Sequence, residues 1–122
     1  MQESKRKLLN FIFGKKCEYI AVKYVKAQGY VVLSRNFRYK GGEIDIIAKN
    51  GNSIVFIEVK GRRNLSFGSA KEAVDQNKQK RIIEGSKLFM LKNNLNENDY
   101  NIRFDVITIE NNKIEWLQDA FA

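Results

Sequence analysis

The stretch that decides the fold is residues 41–63, GGEIDIIAKNGNSIVFIEVKGRR. Two runs rich in β-branched residues flank Asn50-Gly51, and Asn-Gly between such runs is typical of a two-residue hairpin loop. The pattern predicts strands over residues 43–48 and 53–60. Both strands are apolar except for a few charged residues, which makes the hairpin the first place to look for chemistry. These residues are Glu43, Asp45, Glu58 and Lys60.

Strand alternation predicts that these four charged side chains share one face of the hairpin. With Asn50 and Gly51 as the loop, Glu43 lies opposite Glu58, and Asp45 becomes a diagonal neighbour of Glu58. The two carboxylates Asp45 and Glu58 are then within reach of one shared ion. A slip of one residue in the pairing would undo this arrangement.

A divalent cation would explain acidic residues in an apolar hairpin, because it offsets the repulsion between carboxylates. Oxygen ligands favour Mg²⁺ or Mn²⁺ over softer metals. Lys60, two residues beyond Glu58 and on the same face, would suit a phosphate or an attacking water beside that ion. The alternative is a solvent-facing strand edge with an ordinary salt bridge, for which Glu-x-Lys is also common.

The composition excludes several classes of enzyme site. The 122 residues include no histidine, one cysteine (Cys17) and no proline. A Ser-His-Asp triad, a Cys-His pair, a histidine-containing zinc site and an intrachain disulfide are therefore excluded. The length fits one domain, residues 1–122, with one hydrophobic core.

The net charge of +8 comes entirely from the first third of the chain. Residues 1–42 hold ten Lys or Arg and two Glu, whereas residues 43–122 hold twelve residues of each sign. Such a basic excess suits a phosphate backbone, and a solvated surface is the alternative. The basic residues near the hairpin that could hold phosphates are Arg35, Arg38, Lys40, Arg62 and Arg63, and a basic stripe on the second helix holds Lys78, Lys80, Arg81 and Lys87.

The flanking segments predict an α/β protein with a mixed sheet. Helical periodicity comes first, and a second helix separates the third and fourth strands, which permits a parallel crossover between them. Ser69 and Glu72 predict a capping box at the start of that helix. The predicted elements are helix 3–28, strands 30–38, 43–48 and 53–60, helix 69–93, and strands 102–110 and 113–117.

Four further residues stand out in the sequence. Three of them have a structural interpretation, and Glu18 has both a functional and a structural one. Glu18 lies at the edge of the buried face of the first helix, either as a third carboxylate over the sheet or as a surface charge. Cys17 is interpreted as a small core residue and Trp116 as core packing. Asp105, inside an apolar strand, is interpreted as the partner of a buried Arg or Lys.

The sequence predicts a cytoplasmic protein without a membrane segment. No apolar run approaches the ~20 residues that span a bilayer. The apolar patch at residues 8–13 is shorter than a secretory signal core, and no small-residue cleavage site follows it.

Several distinct short motifs lie along almost the whole chain. They are Cys17-Glu18 with Ala21, Gly29-Tyr30, Arg35-Asn36-Phe37-Arg38, residues 42–48 (GEIDIIA), residues 55–60 (VFIEVK), Phe67-Gly68, Ala73-Val74 with Lys78, Arg103-Phe104-Asp105-Val106 and Ala120-Phe121. Together they resemble the YraN-like family of small bacterial proteins, which are predicted endonucleases. Cys17 departs from the glycine that this family usually has before the glutamate.

The resemblance implies a restriction-endonuclease-like PD-(D/E)XK fold, similar to archaeal Holliday-junction resolvases, whose αβββαβ core matches the predicted order. It implies that Asp45 and Glu58 are metal ligands and that Lys60 is the catalytic lysine. By the same resemblance Glu18 is an auxiliary carboxylate that could also bind the metal. Glu43 and Lys78 are auxiliary positions. Ile44 stands where the nuclease motif has proline.

The resemblance therefore implies a Mg²⁺- or Mn²⁺-dependent endonuclease that hydrolyses phosphodiester bonds. DNA is the expected partner rather than RNA, branched DNA is one candidate substrate, and a homodimer would follow the junction-resolving relatives. The alternative is a catalytically silent nucleic-acid-binding or adaptor protein on the same fold. A third interpretation is a basic ribosome-associated protein.

Overall fold

A five-stranded sheet carries a long helix on each face. The computed structural model describes residues 2–62 and 74–122. A short 3₁₀ turn, Glu97–Asp99, precedes the fourth strand. The main elements are α1 (Glu3–Ala27), β1 (Val31–Tyr39), β2 (Gly42–Asn50), β3 (Ser53–Arg62), α2 (Gln76–Lys92), β4 (Asn101–Glu110) and β5 (Lys113–Leu117).

The strands lie in the order β1-β2-β3-β4-β5. β3 and β4 are parallel, from Ser53 opposite Asn101 to Arg62 opposite Glu110, and the other neighbouring pairs are antiparallel. The chain passes through α2 between the two parallel strands, because a parallel connection needs a crossover. The prediction of a mixed sheet flanked by helices is confirmed.

Alternate residues of β3 pack against different helices, which places a hydrophobic core on each side of the sheet. Ile54 and Phe56 belong to the cluster under α2, whereas Val55 and Ile57 belong to the cluster under α1. All four are fully buried. The helical contributions are Cys17, Ala21, Val22 and Val25 from α1 and Ile82, Phe89 and Met90 from α2.

The β2–β3 hairpin differs from its prediction by one loop position. Asn50 pairs with Ser53, so Gly51 and Asn52 form the loop. Gly51 takes the first loop position with φ +58°, where glycine has no steric penalty. The register therefore moves by two residues, which keeps the β2 side chains from Ile46 to Asn50 on their predicted faces. Ile44 and Ile46, predicted on one face, lie on opposite faces of the sheet. Asp45 now lies opposite Glu58 rather than diagonal to it.

Helix α2 begins later than predicted. Asp75 is its N-cap, with an extended backbone and a side chain that accepts a hydrogen bond from the Lys78 N–H at 2.8 Å. The prediction of helix through Val74 and Asp75 is therefore wrong. An aspartate whose side chain accepts from the N3 amide marks the N-terminus of a helix, so α2 begins only after Asp75. The predicted capping box of Ser69 and Glu72 lies outside the described residues.

Helix α2 approaches the sheet closely at Gly85. A Cβ at this position would lie 2.5 Å from the ring of Tyr39, so only glycine allows the present contact. The Tyr39 hydroxyl donates a hydrogen bond to the Arg81 carbonyl at 2.6 Å, which fixes the ring against the helix. This contact holds the middle of α2 against the end of β1.

Asp105 has the structural role that the sequence predicts. It is fully buried and forms an ion pair with Arg103 at 2.9 Å. The Trp116 indole N–H and the Asp119 backbone N–H also donate to its carboxylate, at 2.7 and 2.8 Å. A buried charge with this many donors stabilises the link between β4 and the end of the chain. Cys17 is likewise buried in the core, as predicted.

Candidate metal and nucleic-acid site

The regular alternation of β1 and β2 breaks at two residues that lie opposite each other, Asn36 and Asp45. Arg35 pairs with Ile46 and Phe37 with Ile44, so these two fall between the flanking pairs. Asn36 has a left-handed backbone, with φ +53°, a conformation that asparagine tolerates better than most residues. The break separates neighbouring apolar residues, because Ile44 packs under α2 and Ile46 under α1.

Asp45 and Glu58 form a buried carboxylate pair between β2 and β3. Glu58 is only 4% exposed. The Val59 N–H donates to Asp45 Oδ2 at 2.8 Å. Burial, together with a hydrogen bond to Glu58 and the negative charge of Glu58, raises the pKa of Asp45 to about 9 although the Val59 N–H lowers it. A protonated Asp45 that donates to Glu58 is the consequence at neutral pH.

Lys78, from the first turn of α2, offsets the negative charge of this pair. Its Nζ lies 2.8 Å from Glu58 Oε2, and its side chain is 37% exposed. The approach is an ion pair without hydrogen-bond geometry, so the buried Oε2 has no hydrogen-bonded partner in the described part of the chain. A buried carboxylate oxygen in this condition is suited to a further cationic ligand.

Glu18 and Glu43 lie beside the pair and share one amide. With the Asn36 side chain oriented by its two acceptors, its nitrogen donates to Glu18 Oε1 at 3.0 Å and to Glu43 Oε1 at 2.8 Å. Lys15 lies 3.4 Å from Glu18 on the same helix. The negative charge of Glu18 also contributes to the raised pKa of Asp45. The break at Asp45 is what turns Glu43 toward Glu18.

A cavity of about 210 Å³ gives access to the carboxylates. Its walls come from the β1–β2 turn, from β2 and β3, and from the first turns of α2. The lining residues are Tyr39, Gly41, Gly42, Glu43, Asp45, Glu58, Lys78, Arg81 and Ile82. Lys60 is not among them, and it lies exposed near the end of β3. Its catalytic role stays a prediction.

The donor set fits a hard divalent cation. Mg²⁺ keeps several waters and binds proteins through one or two carboxylates, so Asp45 and Glu58 are sufficient. Glu58 Oε2 already carries the Lys78 ammonium at 2.8 Å, so a cation at this oxygen would have to displace Lys78 or share the oxygen with it. Within residues 2–62 and 74–122, no group of three or more Cys, Asp or Glu side chains is placed to hold a metal. Glu18 therefore does not join the pair as a direct third ligand in this conformation.

The predicted nucleic-acid-binding residues fall into two groups. Arg35, Arg38 and Lys40 are exposed on β1 and its turn, and Arg38 lies 4.0 Å from Glu43. Arg62 lies apart from them and lines a second cavity of about 310 Å³ beside Cys17. Arg63 lies outside the described residues.

Sequence reasoning assigned no site role to Asn36, and it counted Tyr39 and Arg81 only among residues that could contact phosphates or bases. The structure brings all three beside the carboxylates. Tyr39 and Arg81 belong to the cavity wall, and the Tyr39–Arg81 hydrogen bond connects β1 with α2. Asn36 could have been noticed in the sequence only as a polar residue within the first predicted strand. Recognising that it lies opposite Asp45 requires the pairing register of β1 and β2.

Among residues 2–62 and 74–122, neither α1 nor α2 has the length and apolar character of a membrane-spanning helix.

The fold and the site define a class: an α/β protein with a five-stranded mixed sheet and a buried carboxylate pair. The chain belongs to the uncharacterised protein family UPF0102, whose model matches residues 17–109. This is the YraN-like family that the motifs resemble. A UPF0102 protein of Hahella chejuensis is 42% identical over 121 residues, covering 97% of this chain and 96% of its own. A UPF0102 protein of a Sulfurihydrogenibium species is 45% identical, covering 89% and 93%. One from Clostridium botulinum is 44% identical, covering 85% and 89%.

Proposed function

We propose that this protein is a Mg²⁺- or Mn²⁺-dependent nuclease that hydrolyses phosphodiester bonds of nucleic acid. The observation that carries the proposal is the buried pair Asp45–Glu58, which faces a cavity and is compensated by Lys78. Two carboxylates buried side by side cost stability without a cation. Such strain is typical of functional sites.

The residues have separate roles in this reaction. Asp45 and Glu58 would hold the cation, which when bound supplies charge stabilisation at the phosphate and lowers the pKa of a water. To hold a cation, Asp45 would have to give up its proton to solvent, and the Val59 N–H that donates to Oδ2 would keep its carboxylate oriented. Lys78 and Lys60 supply positive charge where the phosphate develops negative charge. No covalent intermediate is needed.

The basic residues around the hairpin would position the nucleic-acid backbone. Arg35, Arg38 and Lys40 are exposed on the element that leads into the cavity wall at Tyr39 and Gly41. Contacts of this kind fix the register on the backbone without reading sequence. DNA, including branched DNA, is the substrate class that we propose to test first, with a homodimer in the cytoplasm as the working form.

A nucleic-acid-binding or adaptor protein is the second candidate. The observation in its favour is that the described residues hold no three-ligand metal group, while Lys78 already occupies the position of a cation at Glu58. Metal dependence separates the two candidates. A nuclease needs the ion to cut, whereas a binding protein retains nucleic acid in EDTA.

The test is cleavage of labelled linear, flapped and four-way-junction DNA and of single-stranded RNA, with Mg²⁺, Mn²⁺ or EDTA. The variants are Asp45→Ala, Lys60→Ala and Lys78→Ala. Exposed Asp99 and Lys113 provide matched controls as Asp99→Ala and Lys113→Ala. We expect metal-dependent cutting that Asp45→Ala abolishes and the controls retain. Binding without cutting, unchanged by Asp45→Ala, would establish the second candidate instead.

A further inference from the structure

We propose that Asn36 is the positioning residue of this site: its amide fixes Glu18 of α1 and Glu43 of β2 beside the Asp45–Glu58 pair. The inference rests on the proposed cation site for its functional consequence. The geometry itself stands on observations that need no metal.

The first observation is the position of the Asn36 amide, one terminal atom of which lies 3.0 Å from Glu18 Oε1 and 2.8 Å from Glu43 Oε1. Two carboxylate acceptors at these distances require the amide nitrogen at that position, where it donates to both. An amide nitrogen has two hydrogens, so this pair of acceptors uses its full donor capacity. Hydrogen bonds to ionised acceptors are stronger than neutral ones. Asn36 therefore connects two carboxylates that come from different elements and that would otherwise repel each other.

The second observation is the backbone of Asn36. Its φ of +53° is left-handed and lies opposite Asp45, between the pairs Arg35–Ile46 and Phe37–Ile44. A separate register shift lies between Val32 and Ser34. A left-handed residue costs free energy in a strand, and such irregularities cluster at functional sites. Here the left-handed backbone aims the amide at Glu18 and Glu43.

The third observation is where the two carboxylates stand. Glu43 lines the cavity, and the charge of Glu18 acts on Asp45. The described residues hold no group of three carboxylates placed to bind a metal, so Glu18 would act on a bound cation through its neighbours rather than as a ligand. Groups that act in this way commonly change metal affinity by about tenfold or more when removed.

A donor–acceptor exchange tests the hydrogen bonds. Asn36→Asp keeps the size and tolerance of the left-handed backbone but sets a third carboxylate against Glu18 and Glu43. We expect a lower melting temperature in EDTA, by about 5 °C or more. Adding Glu43→Gln restores a donor and should recover most of that loss. If the two substitutions lower the melting temperature additively, the bridge does not exist.

A second cycle tests positioning, with Mn²⁺ affinity measured by electron paramagnetic resonance. Asn36→Gly keeps the backbone and removes the amide. We expect it to weaken Mn²⁺ binding about tenfold, and Glu18→Gln to weaken binding in the wild type but not in the Asn36→Gly background. Unchanged Mn²⁺ affinity in Asn36→Gly overturns the positioning role. A wild type that binds no Mn²⁺ overturns both the proposed nuclease and this role, while the EDTA cycle still decides whether the bridge exists.

Discussion

Among single residues, Lys78 has the most direct effect on the site, because its ammonium group lies beside Glu58. Lys78 occupies part of the space that a metal ion would take, so it both stabilises the metal-free site and competes with the ion. We expect Lys78→Gln to destabilise the metal-free protein by about 1–2 kcal/mol, less than a fully buried pair because Lys78 is partly exposed. The same change should tighten Mg²⁺ binding and slow cleavage.

Calorimetric Mg²⁺ titration and thermal unfolding in EDTA measure both effects of Lys78→Gln. Lys80→Gln is the matched control, since Lys80 is exposed two residues further along the same helix. Weaker Mg²⁺ binding in Lys78→Gln would show that Lys78 supports the ion rather than competing with it.

The Asp45 carboxyl makes the stability of the metal-free protein depend on pH. Its pKa is raised to about 9 in the folded chain, mainly by burial and then by Glu58. The unfolded chain releases this proton near pH ~4. Between these values the folded state binds more protons, so stability falls as pH rises, by at most about 1.4 kcal/mol per pH unit.

Asp45→Asn removes this dependence, because asparagine cannot ionise and still accepts from the Val59 N–H. We expect Asp45→Asn to be more stable than the wild type at pH 8 in EDTA and nearly equal at pH 4. Urea unfolding across that range is the measurement, with the exposed Asp99→Asn as control. A wild-type slope that survives in Asp45→Asn would assign the titration to another group.

The sequence predicted that Asp45 and Glu58 lie close together because the hairpin places them on neighbouring strands, and a two-residue change of register keeps them within reach of each other. It did not predict that Asn36 reaches Glu18 and Glu43. That contact depends on a left-handed backbone within β1, and hydrophobic patterns carry no signal for a single such residue.

Among the elements, the contact between α2 and the sheet at Gly85 fixes the position of the helix. Gly85→Ala would place a methyl group against the Tyr39 ring, at 2.5 Å in the present geometry. The helix must then move away from β1, which draws Lys78 away from Glu58. We expect a loss of about 1–3 kcal/mol in stability, as for other overpacked contacts, and lower metal-dependent activity.

Gly14→Ala is the matched control for this helix substitution. A Cβ at Gly14 meets nothing within 4 Å, and the residue lies inside α1. Alanine there should stabilise the protein by about 1 kcal/mol through helix propensity. Chemical unfolding of both variants checks the pair, and equal effects would contradict the close contact at Tyr39.

The elements themselves were largely readable from the sequence, because runs of β-branched residues, turn residues and the helical spacing in α2 mark most of them. Their ends were not. Gly51 rather than Asn50 opens the hairpin loop because the left-handed position falls on the glycine. Asp75 caps α2 because its side chain reaches the Lys78 amide, a local bond that competes with further helix.

At the scale of the whole molecule, the basic residues proposed to bind nucleic acid and the acidic pair proposed to hold the cation lie on different strands. The acidic pair lies between β2 and β3, and the exposed cations Arg35, Arg38 and Lys40 lie on the neighbouring edge strand and its turn. The residues up to 42 carry the whole net charge of +8. A nucleic-acid backbone held along β1 would therefore reach the cavity at the β1–β2 turn, where Arg38 pairs with Glu43 of the cavity wall.

This arrangement predicts how binding responds to salt. Each cation that contacts a phosphate of duplex DNA adds about 0.9 to the slope of log affinity against log salt. Arg35→Gln with Arg38→Gln should therefore lower the slope by about 1–2 and weaken binding to all sequences alike. Lys92→Gln with Lys113→Gln removes the same charge from exposed sites elsewhere and should change the slope little. Fluorescence anisotropy in EDTA, from low to physiological salt, gives both slopes. Equal loss in the two double variants would mean that binding depends on net charge and not on the β1 edge.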